Sequence, residues 1–219
     1  MNDYLYIHGG RDIKEGPLSS MWRLSIAGVK EIAEDADYGV SWESVTQKGT
    51  PPGKISHHKS VVFGSSVVIY GGICEEECAW EFETSKATWT KLKQTGDNQP
   101  GHRDDHSLCR LSDNSFAVFG GFYKGSRTCD LYVATKNGTT LTWKECGDKN
   151  AKCPCIRASH SMIAQGNSIY VFGGQDDDNN KLGDMWKFDL TSEEWTECEL
   201  KGDCVPAPRS GHSVSAHRD

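Results

Sequence analysis

Basic side chains recur along the chain at intervals of about fifty residues: Lys54, Arg103, Arg157 and Arg209. Ser159 lies two residues after one of them. A guanidinium group binds a carboxylate through two parallel hydrogen bonds, so such groups gathered around one opening would hold an acidic peptide. The same residues would also suit structural salt bridges to neighbouring carboxylates. The residues alone leave both interpretations open.

Two aromatic residues, Phe122 and Tyr123, directly follow the glycine pair Gly120–Gly121. The segments after the other glycine pairs differ from this one, for example the acidic and amide-rich segment 175–181. Variable loops on a repeated scaffold usually carry binding specificity, and aromatic rings are common anchors at protein interfaces. We therefore expect Phe122 and Tyr123 to contact a partner.

Histidine also recurs, once per repeat, at matching positions: His58, His106, His160 and His212. A catalytic centre would not need four copies of one side chain, whereas a repeated fold would. The histidines are therefore predicted to be structural.

The nine cysteines are scattered and odd in number. Cys146 and Cys198 each follow a tryptophan by three residues, and Cys153 and Cys204 come next in the matching loops. Zinc sites need four ligands with short paired spacings, which these positions do not provide, so we predict neither a metal site nor a bound cofactor. The pattern fits buried or reduced thiols, with loop disulfides as the alternative for a secreted protein.

A repeat of short, strand-like segments must position all of these residues. One segment of each repeat is rich in β-branched and aromatic residues and runs into Gly-Gly: residues 4–10, 67–72, 116–121 and 168–174. A second apolar segment follows, then a third centred on tryptophan, and a fourth begins at the histidine. Four such strands predict a four-stranded antiparallel sheet, and sheets of this kind bury both faces when they stack around an axis.

The order of histidine-serine, apolar strand, Gly-Gly, aromatic-rich strand and spaced tryptophan resembles the kelch repeat. Its clearest copy spans residues 157–200, while the second unit departs from the pattern with Lys59 in place of the serine and Lys54 near the arginine. The resemblance implies an all-β kelch propeller that binds partners on the face formed by the inter-blade loops and the loops after Gly-Gly. We expect one domain over residues 1–219, with blades at 1–48 plus 209–219, 54–95, 103–147 and 157–201.

The phase of the repeats leaves two arrangements open. Residues 209–219 could pair beside residues 3–8 and close a four-bladed ring. Alternatively, the chain could be part of a larger propeller, since kelch propellers usually have six or seven blades. The insert at 27–39 lengthens the first unit, either as a helical turn or as a projecting hairpin.

The net charge of −7 disfavours binding to nucleic acid or acidic membranes. The start of the chain lacks the regions of a signal peptide, which predicts a cytoplasmic protein. Because no catalytic motif is apparent, we expect a non-catalytic platform for another protein or an acidic peptide, with self-association if the propeller is incomplete. The alternatives are a recognition or scaffold subunit of a ubiquitin ligase or cytoskeletal assembly, and a propeller enzyme of oxidase or epimerase type.

Overall fold

A computed structural model of the chain describes residues 4–26, 41–76, 79–148, 151–202 and 204–217. The described residues form strands, turns and loops, with no helix among them. Within these ranges there is accordingly no helix of a length and hydropathy that could span a membrane. The expected all-β fold is confirmed. The insert at 27–39, expected as a helical turn or hairpin, lies outside the described residues.

The strands follow the sequence repeats. The first repeat contains β1 (Tyr4–His8), β2 (Arg11–Asp12), β3 (Gly16–Pro17), β4 (Met21–Ser25), β5 (Trp42–Ser44) and β6 (Lys48–Gly49). The second contains β7 (Lys59–Phe63), β8 (Ser66–Tyr70), β9 (Ala79–Glu83) and β10 (Thr88–Thr95). The third contains β11 (Arg103–Asp104), β12 (Ser107–Arg110), β13 (Ser115–Tyr123), β14 (Ser126–Asn137) and β15 (Thr140–Cys146). The fourth contains β16 (Ser161–Gln165), β17 (Ser168–Gln175), β18 (Lys181–Asp189) and β19 (Glu194–Cys198).

Within each repeat the strands pair as antiparallel neighbours in chain order. The first sheet consists of β1, β4 and β5, the second of β7 to β10, the third of β12 to β15 and the fourth of β16 to β19. The second and third sheets are continuous, because β10 pairs in parallel with β15, and β10 also pairs in parallel with β6 of the first repeat. A sheet that is covered on both faces needs apolar residues along the whole length of its central strands. Val68, Ile69 and Tyr70 on β8 are accordingly all buried.

Three apolar cores lie between the successive sheets. In the core between the second and third sheets, the ring centroids of Tyr70 and Trp143 are 4.9 Å apart. The equivalent Trp89 and Trp195 lie in the other two cores. The indole N–H of Trp143 donates to Oε1 of Gln94 at 2.9 Å and that of Trp89 to Oε1 of Gln47 at 2.7 Å, so these two rings are both packed and oriented.

The Gly-Gly pairs lie where neighbouring sheets approach closely. At Gly120 a Cβ atom would lie 2.8 Å from the carbonyl oxygen of Arg157 and 2.8 Å from Cε1 of His160, both in the next repeat. The N–H of Gly121 donates to that same carbonyl at 2.9 Å. The His160 ring packs edge-on against Phe119 with centroids 5.2 Å apart. The glycine pair and the histidine therefore join consecutive sheets, which explains why both recur once per repeat.

The C-terminal segment continues this pattern on the fourth sheet. The N–H of Arg209 donates to the carbonyl of Leu182 at 3.0 Å, and its own carbonyl accepts the N–H of Gly174 at 2.8 Å. Among the described residues, β1 pairs with β4 alone, and residues 209–217 form no strand. Of the two arrangements that the repeats left open, the described residues therefore show no closing strand from 209–217 beside 4–8.

The first sheet exposes side chains whose counterparts are buried in the other sheets. Trp42 opposes Leu24 just as Trp89 opposes Phe82, yet Trp42 is 41% exposed and Trp89 is 2% exposed. In the described part of the chain, no preceding sheet covers this face.

Candidate functional site

Two of the four predicted basic side chains are buried in ion pairs. Arg103 and Arg157 are 1% and 0% exposed. Arg103 donates to the two carboxylate oxygens of Asp130 at 2.6 and 3.1 Å, and Arg157 donates to those of Asp184 at 2.9 and 2.7 Å. The prediction that these two arginines bind an acidic peptide is therefore corrected, because their guanidinium groups are buried and already engaged within their own repeats.

The ion pairs also determine the charge of the two aspartates. Burial alone would raise the pKa of Asp184, but the hydrogen bonds and charge of Arg157 lower that pKa below its usual value. The same balance, with Arg103 as the partner, lowers the pKa of Asp130. At neutral pH both members of each pair are ionised, and their opposite charges cancel. The pairs therefore add no net positive charge to the surface.

Lys54 and Arg209 are exposed. In the second repeat the structural counterpart of the buried arginines is Ile55, not Lys54, because the Ile55 carbonyl accepts the N–H of Gly10 at 2.8 Å as the arginine carbonyls accept those of later glycines. Ile55 is itself fully buried. Of the four basic groups expected at equivalent positions, only Lys54 and Arg209 are therefore exposed. Lys54 lies one residue before the equivalent position, which Ile55 occupies.

Ser159 belongs to a row of residues that each precede a recurring histidine. His57, Asp105, Ser159 and Gly211 have φ angles of 59°, 50°, 55° and 69°. The N–H of Ser159 donates to the carbonyl of Asp105 at 2.9 Å, and the carbonyl of Ser159 accepts the N–H of Gly211 at 2.8 Å. We call these four residues the inner row. They join consecutive repeats through the backbone, in a left-handed conformation that strains residues other than glycine.

Phe122 and Tyr123 line a groove at the end of the third sheet where the Gly-Gly pair lies. The groove has a volume of about 740 Å³. We call it the aromatic groove and define it by its lining residues, Gly101, His102, Asp104, Phe122, Tyr123, Lys124 and Gly125. Both rings are half-buried. The groove contains neither of the buried arginines and no residue of the inner row.

Cations lie against the two rings of the aromatic groove. The guanidinium of Arg127 is 4.7 Å from the centroid of Phe122, and the ammonium of Lys124 is 5.1 Å from that of Tyr123. Such contacts are attractive because the face of an aromatic ring is electron-rich. Arg127 is also held by the side-chain oxygen of Asn179 at 2.7 Å, from the corresponding loop of the fourth sheet. Neighbouring side chains therefore orient the rings before any partner arrives.

Polar groups from the preceding inter-sheet loop complete the aromatic groove. Burial and the charge of Asp105 raise the pKa of Asp104. The imidazole Nε2 of His102 lies 3.7 Å from Sγ of Cys74. Sequence reasoning missed His102 and Asp104, although their position on either side of Arg103 was an available signal. The groove therefore offers a carboxyl, an imidazole and an ammonium beside two aromatic faces.

The recurring histidines are uncharged at neutral pH. Burial, with a contribution from the charge of Arg157, lowers the pKa of His160 to about 3, and burial likewise lowers that of His106 well below its ordinary value. In the ranges that the structure describes, no group of three or more His, Cys, Asp or Glu side chains is arranged to hold a metal ion.

Known proteins share this pattern over most of the chain. Residues 40–219 match the family described as the KLHDC2/KLHL20/DRC7 Kelch-repeats domain. Kelch domain-containing protein 3 of Bos taurus is 28% identical over 222 residues, which cover 95% of this chain and 54% of that protein. Adagio protein 3 of Arabidopsis thaliana is 27% identical over 223 residues, covering 95% and 34%. A probable serine/threonine-protein kinase of Dictyostelium discoideum is 29% identical over 187 residues, covering 83% and 14%.

The chain spans about half the length of Kelch domain-containing protein 3 and a smaller share of the other two relatives. Kelch-repeat domains generally mediate protein–protein interactions and are typically non-enzymatic, although one of these relatives is named a kinase. The family match covers residues 40–219, which is most of the chain. The sheets, glycine pairs and tryptophans recur in the order of the kelch repeat. The chain therefore belongs to the kelch-repeat family.

Proposed function

We propose that this chain is a non-catalytic binding platform that takes a peptide segment of a partner protein into the aromatic groove. The observation that carries the proposal is the groove itself, about 740 Å³ in volume and lined by two half-buried aromatic rings. That volume lies within the range of ordinary ligand sites. Tyrosine in particular is among the residue types that dominate the energy of protein interfaces.

The chemistry of the groove defines the segment that we propose. An apolar or aromatic side chain would pack against Phe122 and Tyr123, and a carboxylate would meet the exposed ammonium of Lys124. The acidic-peptide expectation is thus kept in a narrower form, in which Lys124 replaces the buried arginines. The net charge of −7 supports a protein segment rather than nucleic acid or an acidic membrane.

Two further features of the proposal concern compartment and self-association. We propose that the protein works in the cytoplasm, which its free thiols at the described cysteines support. The surface that we propose for any self-association is the first sheet, where Trp22 and Trp42 are 40% and 41% exposed.

A selection from a displayed library of random peptides tests the proposal. The purified chain should enrich peptides that combine an aromatic or large apolar residue with a nearby Asp or Glu. Lys124→Glu should weaken binding of the enriched peptides by about tenfold or more, since it reverses the one charge that we assign to the carboxylate.

Lys86→Glu is the matched control. Lys86 is an exposed residue in the turn between β9 and β10, at the end of the sheet opposite to the Gly-Gly pairs. The two variants therefore carry the same charge change at opposite ends of two neighbouring sheets. Equal binding by both variants, or enrichment of peptides without acidic residues, would count against the proposed function.

A further inference from the structure

Three cysteines line one cavity between the third and fourth sheets. Cys129 lies on β14, Cys146 ends β15, and Cys153 lies in the loop that leads to the fourth repeat. The cavity has a volume of about 270 Å³, and Trp195 of β19 closes it from the other side. This cavity is separate from the aromatic groove and shares no lining residue with it.

Among these cysteines, Cys129 and Cys153 line the cavity together, and the nearby Cys153 thiol is one cause of the raised pKa of Cys129. The backbone keeps the two cysteines near each other. The N–H of Arg157 donates to the carbonyl of Thr128 at 2.9 Å and forms an antiparallel bridge between the two segments. The strand that carries Cys129 and the loop that carries Cys153 are thus already joined a few residues away.

The other nearby thiols have different neighbours. Nη2 of Arg157 donates to Sγ of Cys155 at 3.3 Å, and Sγ of Cys146 lies 3.8 Å from the carbonyl oxygen of Lys144. Cys155 is also exposed, whereas Cys129 and Cys153 are half-buried. The geometry therefore selects one pair out of four cysteines.

We propose that Cys129 and Cys153 form a reversible disulfide in the presence of hydrogen peroxide, and that this pair is a thiol-modification site between the third and fourth sheets. The Cys153 thiol attacks one peroxide oxygen, the O–O bond breaks, and a sulfenic acid and one water form. The Cys129 thiol then attacks the Cys153 sulfur, the S–O bond breaks, the S–S bond forms, and a second water leaves. Two thiols are oxidised and one peroxide is reduced to two waters.

The environment of Cys129 argues against the first of these two roles. Burial, with the charge of Cys153 added, raises the pKa of Cys129 to about 11. Cys129 is therefore protonated at neutral pH, and protonated thiols react slowly with peroxide. The first oxidation consequently falls on Cys153, and Cys129 resolves the sulfenic acid that forms beside it.

The disulfide would tie the loop between the third and fourth sheets to strand β14. A cross-link that closes a loop of roughly 25 residues stabilises a folded chain, so oxidation should raise Tm by about 5–10 °C. A reductant such as dithiothreitol should reverse this increase.

Peptide mapping tests the proposal on the full chain, after treatment with equimolar hydrogen peroxide and alkylation of free thiols. Trypsin releases Cys129 in the peptide 128–136, and Cys153 together with Cys155 in the peptide 153–157. We expect these two peptides to be linked. Because the second peptide carries two cysteines, Cys155→Ser and Cys153→Ser decide which one takes part.

Cys155→Ser should keep both the link and the increase in Tm, and Cys153→Ser should lose both. Cys153→Ser changes a half-buried loop residue, and its Tm under reducing conditions, compared with that of the wild type, shows whether it folds. The proposal is overturned if the link forms within the peptide 153–157, if it persists in Cys153→Ser, or if peroxide produces no disulfide while Cys153 proceeds to sulfinic acid.

Discussion

Replacing Asp184 with alanine removes the carboxylate that pairs with a buried guanidinium. Arg157 is 0% exposed, and its two terminal nitrogens donate to Asp184 at 2.9 and 2.7 Å. Removing one partner of a buried ion pair costs about 3–5 kcal/mol, because the remaining charge stays buried without a counter-ion. The Asp184 side chain is 25% exposed, so water can reach part of the vacated site, and we expect the lower end, about 3 kcal/mol.

Urea unfolding at pH 7, followed by tryptophan fluorescence, measures this loss as a shift of the midpoint at unchanged slope. Glu197→Ala is the control. Glu197 also lies on the fourth sheet, but it and its partner Lys152 are 45% and 69% exposed, so the expected loss is below about 1 kcal/mol.

A double variant separates the cost of an unpaired charge from the value of the pair. The second repeat has the buried Ile55 where the later repeats have arginine. Arg157→Met combined with Asp184→Leu should therefore recover most of the stability that Asp184→Ala loses, because no charge is left buried. The reasoning would be refuted if Asp184→Ala cost no more than Glu197→Ala, or if the double variant were less stable than Asp184→Ala.

Three further predictions concern stability. Trp89→Ala should lower the free energy of unfolding by about 3–5 kcal/mol, because Trp89 is only 2% exposed. The equivalent Trp42→Ala should lower it by less than about 2 kcal/mol, because Trp42 is 41% exposed. Equal losses in urea unfolding would contradict this difference in burial. Gly120→Ala should cost more than Gly125→Ala, because both have positive φ but only Gly120 would place a Cβ atom against the next repeat; chemical denaturation of both variants checks the order. His160 has its pKa lowered by burial from 6.5 to about 3, so its stabilising contribution is complete above pH 6.5 and is lost, at about 1.4 kcal/mol per pH unit, as the pH falls towards 3. Unfolding free energies measured at pH 7 and pH 5 should show this loss, and His160→Gln should reduce it; identical pH dependence in both proteins would be the contrary result.

The recurring features could be predicted from the sequence because one physical requirement repeats them. Gly120 and Gly121 must leave room for the next repeat, and Trp143 must fill the space between two sheets. The binding role of Phe122 and Tyr123, inferred from their position after the glycine pair, stays a prediction, and both residues line the aromatic groove of about 740 Å³.

The remaining features depend on contacts between residues far apart in the chain. Arg157 pairs with the carboxylate of Asp184, which is 27 residues away in the chain. Nothing in the local sequence distinguishes a buried arginine from an exposed one. In the second repeat, the adjacent Lys54 looks like the counterpart of the arginines in the sequence. Only the backbone hydrogen bond from Gly10 shows that Ile55 is the equivalent residue. The place of residues 209–217 likewise depends on bonds to the fourth sheet, such as that to Leu182.

The affinity of a library-selected peptide for Tyr123→Ala, relative to the wild type, tests the central claim most directly. Tyr123 lines the aromatic groove, whereas Trp22, 40% exposed on the first sheet, provides an aromatic control outside it. Titration calorimetry should show Kd raised about tenfold or more by Tyr123→Ala and unchanged by Trp22→Ala, with both variants folded. An unchanged Kd for Tyr123→Ala would contradict the claim that the aromatic groove is the binding surface.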